Sequence, residues 1–193
     1  MARPRDFIEE EVLQKAICVF WRKGYNGTSM QDLVDGLGIS RSSMYDTFTD
    51  KHTLYLKALE TYKKKSDQLL SEIFENNPSA KGAIKQLFEL TINDILNDGE
   101  HKGCFLVNTE MEVAGYKNDV KDMVCQSVNN LESVFRKAIA RGQENGEIGK
   151  RHDALALSRL MSNVIKGLQV SAKTTNDKAY FDDIVKTTLA ILD

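Results

Sequence analysis

Proline is scarce in this chain, with two in 193 residues. Together with the rarity of alternating β-branched runs, that scarcity argues against a sheet protein and leaves helices to carry the fold. Cysteine is scarce too. Cys18, Cys104 and Cys125 are widely spaced, with no pairing or metal-binding pattern, so each reads first as a small buried hydrophobe in a reducing setting. Cys104, between Gly103 and Phe105, is kept as a reactive candidate. The three histidines, His52, His101 and His152, fall on different elements without ligand spacing from a carboxylate or cysteine, so no metal is expected. No apolar run approaches the length that crosses a bilayer, and the opening Met-Ala-Arg-Pro-Arg lacks the apolar core of a signal peptide. A cytoplasmic protein without a membrane partner is the expectation. A glycine-rich phosphate loop and a nucleophile elbow are both missing, and no catalytic constellation survives inspection, so neither an enzyme nor a cofactor is expected. A dominant charge is also lacking: the formal net charge is −2, which offers nucleic acid no global attraction.

What is present concentrates in residues 28 to 51. Met30, Leu33, Val34 and Leu37 recur at i, i+3, i+4 and i+7, one apolar face of a short helix. Thr28 and Ser29 precede it as capping candidates, with Gln31 and Asp32 three residues on, the capping-box spacing. Gly38 supplies a left-handed residue to stop that helix. Ser40 is the expected cap of a second helix, and Ile39 can staple onto Met44. Met44 and Phe48, four apart, point inward, leaving Arg41, Ser42, Ser43, Asp46 and Thr47 on the outer faces and Tyr45 at the margin. Two short helices joined by a three- or four-residue turn containing glycine make a helix-turn-helix, whose second helix can lie in a DNA major groove. The alternative is an ordinary helical hairpin with its small polar residues solvated.

The flanks favour the first reading. Residues 7 to 23 read as a helix with Val12, Leu13, Ala16, Ile17, Phe20 and Trp21 as its buried stripe. Asp6 and Glu9 have capping spacing, Glu9 to Glu11 sit at the positive end of the dipole, and Gly24 can close the helix. After the pair, Asp50 can cap a further helix that Lys51 begins. Residues 1 to 51 are not basic on average: Arg3, Arg5, Lys15, Arg22, Lys23, Arg41 and Lys51 face eight acids. DNA binding by such a head depends on placing cations at the arm and helix ends, with the acids turned away.

From Phe7 to Leu59 the chain resembles the N-terminal domain of the TetR family of bacterial one-component repressors. The matching pieces are Ala16-Ile17-Cys18-Val19-Phe20-Trp21-Arg22-Lys23-Gly24-Tyr25, Thr28-Ser29-Met30, Gly38-Ile39-Ser40, Met44-Tyr45, Phe48 and Asp50-Lys51, in the family's order and spacing. Gly103-Cys104-Phe105-Leu106-Val107-Asn108-Thr109 looks like a segment of one subgroup of these regulators. One departure stands out. Asp46 follows the recognition-helix tyrosine where the family often has an aromatic or polar residue. An acid there repels phosphate, so it is expected to accept from a cytosine amino group or to lie clear of the backbone.

Beyond the head the pattern continues as a helical bundle. Residues 54 to 74 extend the fourth helix as a lever, broken at Asn76-Asn77-Pro78-Ser79. Ile84, Leu87, Phe88, Ile92 and Ile95 stripe a fifth, ended by Asn97-Asp98-Gly99. A shorter apolar segment runs from Cys104 to Ala114. Val120, Val124, Val128, Leu131, Phe135, Ala138 and Ile139 mark a long seventh helix, closed near Asn145-Gly146, and the last two cover about 153 to 173 and 180 to 192. Leu155, Leu157, Leu160, Val164 and Leu168, with Ile184, Leu189, Ile191 and Leu192, spread wider than one stripe, as expected of helices with a second partner to bury them. Glu110 and Glu112 lie in an otherwise apolar helix. They are either a pocket carboxylate for a cationic ligand, or one solvated acid and one capping or paired acid. Met111, Met123 and Met161 are pocket lining or plain core filling, and Lys63-Lys64-Lys65 is a solvated face or a flanking phosphate contact.

The expected fold is all-α, with a three-helix DNA-binding head over 1–52 and a helical bundle for ligand binding and dimerisation over 53–193. The resemblance implies a homodimer paired through the eighth and ninth helices, a small-molecule effector enclosed by the fourth to seventh, and a palindromic double-stranded DNA operator. Two recognition helices would then sit a DNA turn or more apart, roughly 34–36 Å per turn. Arg41 is the first choice for a base contact, bidentate to guanine, with Gln31 next. Thr28, Ser29, Tyr45 and Lys51 are expected to hold phosphates, and Ser42, Ser43 and Thr47 either. Phe88, Phe105, Asn108, Met111 and Ile165 are the ligand-site candidates, apolar bulk with one amide. The rival reading is a ligand-binding or scaffold protein that kept the fold and lost DNA recognition.

Overall fold

The computed structural model describes residues 7–193, and all regular structure among them is helical. The order is α1 (Glu9–Gly27), α2 (Met30–Leu37), α3 (Arg41–Phe48), α4 (Lys51–Asn76), α5 (Ala80–Asn97), α6 (Phe105–Glu112), α7 (Asn118–Glu144), α8 (Ala154–Ser171) and α9 (Lys178–Ala190). Arg3, Arg5 and the Asp6 cap expected for the first helix lie outside the described residues.

Helix α1 buries Val12, Ala16, Ile17 and Phe20, while Leu13 and Trp21 stand half-buried at the edge of that stripe. Ile8 holds the N-cap position with extended backbone and no side-chain cap, so Glu9, Glu10 and Glu11 in the first turn supply the favourable charge at the dipole's positive end. Gly24 breaks the helix at φ 74, and one further turn follows to Gly27. The expected stop is therefore a break with a short continuation. Between α2 and α3 the turn is three residues, Gly38 to Ser40, with Gly38 at φ 68. Asp50 starts α4 as expected, accepting from the Thr53 N–H at 2.7 Å.

The chain divides into two compact units that do not follow a boundary at 52/53. One comprises Met1–Lys65 with Asn108–Val124, the other Ser66–Val107 with Cys125–Asp193. The reason lies in the cores. The first half of α4 gives the head unit Leu54, Tyr55, Ala58 and Leu59, and the α6–α7 corner gives it Val113 and Val120, all fully buried. The Tyr55 ring meets Phe20 edge-on at 4.9 Å between centroids, and its hydroxyl lies 2.8 Å from the Thr109 hydroxyl. Burial pushes the Tyr55 phenol far above its ordinary pKa.

The second unit packs around Phe88, Phe135, Phe181 and Met161, with Phe74 edge-on to Phe135 at 5.7 Å. Its helix starts carry the side-chain acceptors that free N–H groups require: Ser79 takes Gly82, Asp153 takes Ala156 and Asp177 takes Ala179. Glu147 adds a carboxylate at the start of α5, accepting from the Ala80 and Lys81 N–H groups at 2.8 and 2.9 Å and from the Ser79 hydroxyl. Partial burial pushes the Glu147 carboxyl up, but those donors outweigh it and hold its pKa below the ordinary value. Among the described residues, no helix is long and apolar enough to cross a membrane.

Candidate nucleic-acid interface

The helix-turn-helix is organised by side-chain oxygens. Ser29 caps α2 by accepting from the Asp32 N–H at 3.1 Å, and Asp32 returns the bond by accepting from the Ser29 N–H at 2.8 Å. Asp32 also takes Lys23 at 2.5 Å. The Lys23 bond first, then the Ser29 N–H, hold the Asp32 carboxyl well below the usual carboxylate range. Of the two cap candidates the geometry selects Ser29. Thr28 turns inward instead, 2 % exposed, with its hydroxyl donating to the Gly24 carbonyl at 2.5 Å. That buried hydroxyl corrects its expected role as a phosphate contact.

Ser40 performs the same service for α3. Its hydroxyl accepts from the Ser43 N–H at 3.1 Å and lies 2.9 and 2.8 Å from the Ser42 and Ser43 hydroxyls. Met44 and Phe48 are fully buried, which fixes the roll of the helix. Arg41, Ser42, Tyr45 and Asp46 are thereby exposed, and Ser43 and Thr47 are half-buried. Tyr45 is 42 % exposed, its ring as much surface as core. On α2, Gln31 is exposed and its amide donates to Asp35 at 2.8 Å. Thr49 joins α3 to α4 at φ 64 and ψ −55, a left-handed backbone for a β-branched residue.

Lys51, at the start of α4, is half-buried with its ammonium 4.5 Å above the Tyr25 ring. Burial lowers its pKa, opposed by the charges of Glu112 and Asp32. Four acids of the head are engaged: Asp32 with Lys23, Glu9 with Lys57 at 2.8 Å, Asp35 with Gln31 and Asp50 with the Thr53 amide. Those pairs take up Lys23 and Lys57, whereas Arg41 stands exposed on α3, so any attraction for DNA rests on where single cations sit and not on net charge.

The sequence reading missed a second set of residues in this unit. Glu112, the last residue of α6, accepts from the Tyr25 and Asn26 N–H groups at 3.0 and 2.7 Å. Tyr116 donates to the Asn26 side-chain oxygen at 2.9 Å, and the His52 imidazole lies 2.6 Å from Asp119. One of the two sequence readings makes one of Glu110 and Glu112 a capping or paired acid without selecting between them, and the structure selects Glu112. Its partners, more than eighty residues upstream, carried no local signal.

The ligand candidates lie apart in character. Phe88 and Phe105 are core residues, Ile165 packs half-buried against the second unit's core, and Asn108 is half-buried. Met111 is 79 % exposed, and its solvent-facing position corrects its expected place in a pocket wall. Within the second unit a groove of about 510 Å³ is lined by Leu69, Ile73 and Leu90 with Glu72, Asn77 and Gln86, none of them a ligand candidate. Among the described residues, no cluster of three or more His, Cys, Asp or Glu side chains is arranged to hold a metal.

Residues 12–58 match the family model described as bacterial regulatory proteins, tetR family, and residues 80–188 match the tetracyclin repressor-like C-terminal domain. The chain is 32 % identical to the uncharacterized HTH-type transcriptional regulator YezE of Bacillus subtilis, over the whole of both chains. It is 25 % identical to the HTH-type transcriptional repressor ComR of Escherichia coli, covering 98 % of this chain and 90 % of that one. Among solved structures it is similar to a cysteine mutant of the transcriptional regulator CifR complexed with 26bp double-strand operator DNA. There the identity is 26 %, the TM-score 0.88, and both chains are covered in full.

Proposed function

Because this chain belongs to the TetR family and is a DNA-binding transcription regulator, not an enzyme, we propose that it acts as a cytoplasmic, homodimeric repressor released from a palindromic operator by a small molecule. The observation that carries the reading is the division of α3. Met44 and Phe48 anchor one face in the head, and Arg41, Ser42 and Tyr45 stand on the other. A short, capped, rigidly rolled helix with a guanidinium near its N-terminus suits a major groove, where arginine reads guanine through O6 and N7.

Arg41 and Gln31 are assigned to bases. Ser29, Tyr45 and Lys51 are assigned to phosphates, and Ser42, Ser43 and Thr47 to either. DNA reading is placed in residues 1–52, and ligand binding and dimerisation in 53–193. Leu160 and Val170 of α8, with Tyr180 and Ile191 at α9, remain exposed in a single chain, which supports burial of these helices against a second copy. Phe88, Phe105, Asn108 and Ile165 are retained for an apolar effector. Selection of bound sequences from a random duplex pool by the purified protein tests the reading. A palindrome enriched over random DNA is expected. No enrichment would leave the scaffold alternative, which the exposed Asp46 on the recognition helix favours.

A further inference from the structure

The α1–α2 corner is built around a carboxylate that comes from elsewhere in the chain. Gly24 at φ 74 turns the backbone so that the N–H groups of Tyr25 and Asn26 serve one acceptor, a concavity of the kind that binds anions. The anion here is Glu112, with Oε2 on Tyr25 and Oε1 on Asn26. The approach is close enough that a Cβ added at Gly24 would lie 2.7 Å from Oε2. Three more contacts surround the pair: the Tyr116 hydroxyl on Asn26, His52 on Asp119, and Tyr55 against Thr109.

We propose that Glu112 is a positioning residue for DNA binding, pinning the α1–α2 corner to the end of α6. The corner carries Ser29, the cap of α2, three residues beyond Asn26, and the Tyr25 ring on which Lys51 rests. Ser29 and Lys51 are assigned to phosphates, so the proposal rests on the DNA-binding reading. A bidentate, charge-assisted bond at this point lets α6 set where those groups sit. Helix α6 begins at Phe105 in the other compact unit and ends at Glu112 in the head unit, so a displacement of its C-terminal half is passed directly to the corner.

The test compares the full chain with Glu112→Ala, Glu112→Gln, Gly24→Ala and the double variant Gly24→Ala with Glu112→Ala. Amide exchange, thermal melting and affinity for the selected duplex are the three readouts. In Glu112→Ala, exchange at Tyr25 and Asn26 is expected to rise about tenfold or more, because two donors lose a charged acceptor. Operator affinity, measured well below the melting temperature, should weaken about tenfold, within the usual range of coupling between sites. Glu112→Gln keeps the size and one carbonyl acceptor, and should recover part of both. Gly24→Ala crowds the carboxylate but also strains a backbone at φ 74, so it should lower melting with or without Glu112. Its loss of operator affinity should be smaller in the Glu112→Ala background than in the wild type. Unchanged exchange in Glu112→Ala, or faster exchange with unchanged operator affinity, overturns the pin. A wild-type protein that binds no selected duplex overturns the DNA reading itself, whereas the exchange data do not depend on DNA.

Discussion

At the level of single residues, reading and holding are assigned to different side chains. Arg41 is exposed on α3, and Arg41→Ala is expected to cost about 1–3 kcal/mol of operator binding and to relax preference at one base position. Lys51→Ala should weaken all duplexes alike and make the salt slope shallower by about one. Titrating both variants on the operator and on single-base variants checks this, and equal losses on every duplex would overturn the division. Thr49 is a different case. Its φ of 64 strains any residue with a Cβ, at about 1–3 kcal/mol. The usual order of glycine below alanine should therefore reverse: Thr49→Gly is expected to melt higher than Thr49→Ala. Nothing in the sequence marked Thr49, because a β-branched residue is a poor cue for a left-handed backbone. By contrast, the inward positions of Met44 and Phe48 followed from their spacing, and both are fully buried. Thr28 and Ser29 are equivalent as caps by spacing, and the Gly24 break separates them, because the Thr28 hydroxyl donates to the Gly24 carbonyl.

At the level of elements, the helices were legible because their apolar residues recur at helical spacing and are buried. The breaks at Gly38 and at Asn77-Pro78 fall where turn chemistry put them. The membership of α6 and the start of α7 in the head unit was not legible. It depends on Val113 and Val120 joining the core and on Glu112 and Thr109 meeting residues 54 or more positions away. Tyr55 ties α4 to α6 through Thr109, and this contact has a pH signature. Its raised phenol pKa means that the folded state holds the proton after the unfolded state has lost it. Its contribution is complete below the unfolded value, about 10, and falls as pH rises through and above that value. Melting of the wild type should therefore decline more steeply above pH 10 than melting of Tyr55→Phe. At neutral pH that variant should lose about 1 kcal/mol, because the buried hydrogen bond between the Tyr55 and Thr109 hydroxyls is removed. Parallel alkaline profiles would remove Tyr55 as the cause.

At the level of the whole molecule, a formal net charge of −2 makes DNA binding a matter of local placement. Few well-placed cations still release counterions, so operator affinity should fall steeply between about 50 and 200 mM salt, with two protomers bound per palindrome. Sedimentation and salt titration of the complex check both, and a flat salt response would sink the repressor reading. The way α3 is built also bears on how such a regulator acquires new targets. Ser40 caps the helix and Met44 and Phe48 anchor it, while Arg41 and Asp46 project from it and Ser42 touches the cap only through its hydroxyl. Changes at exposed sites of that kind usually shift stability by about 0.5 kcal/mol or less. The address that the head reads can therefore drift, or be rewritten in a library at positions 41, 42 and 46, while the fold that carries it stays put. Library members recovered on new duplexes should melt close to the parent.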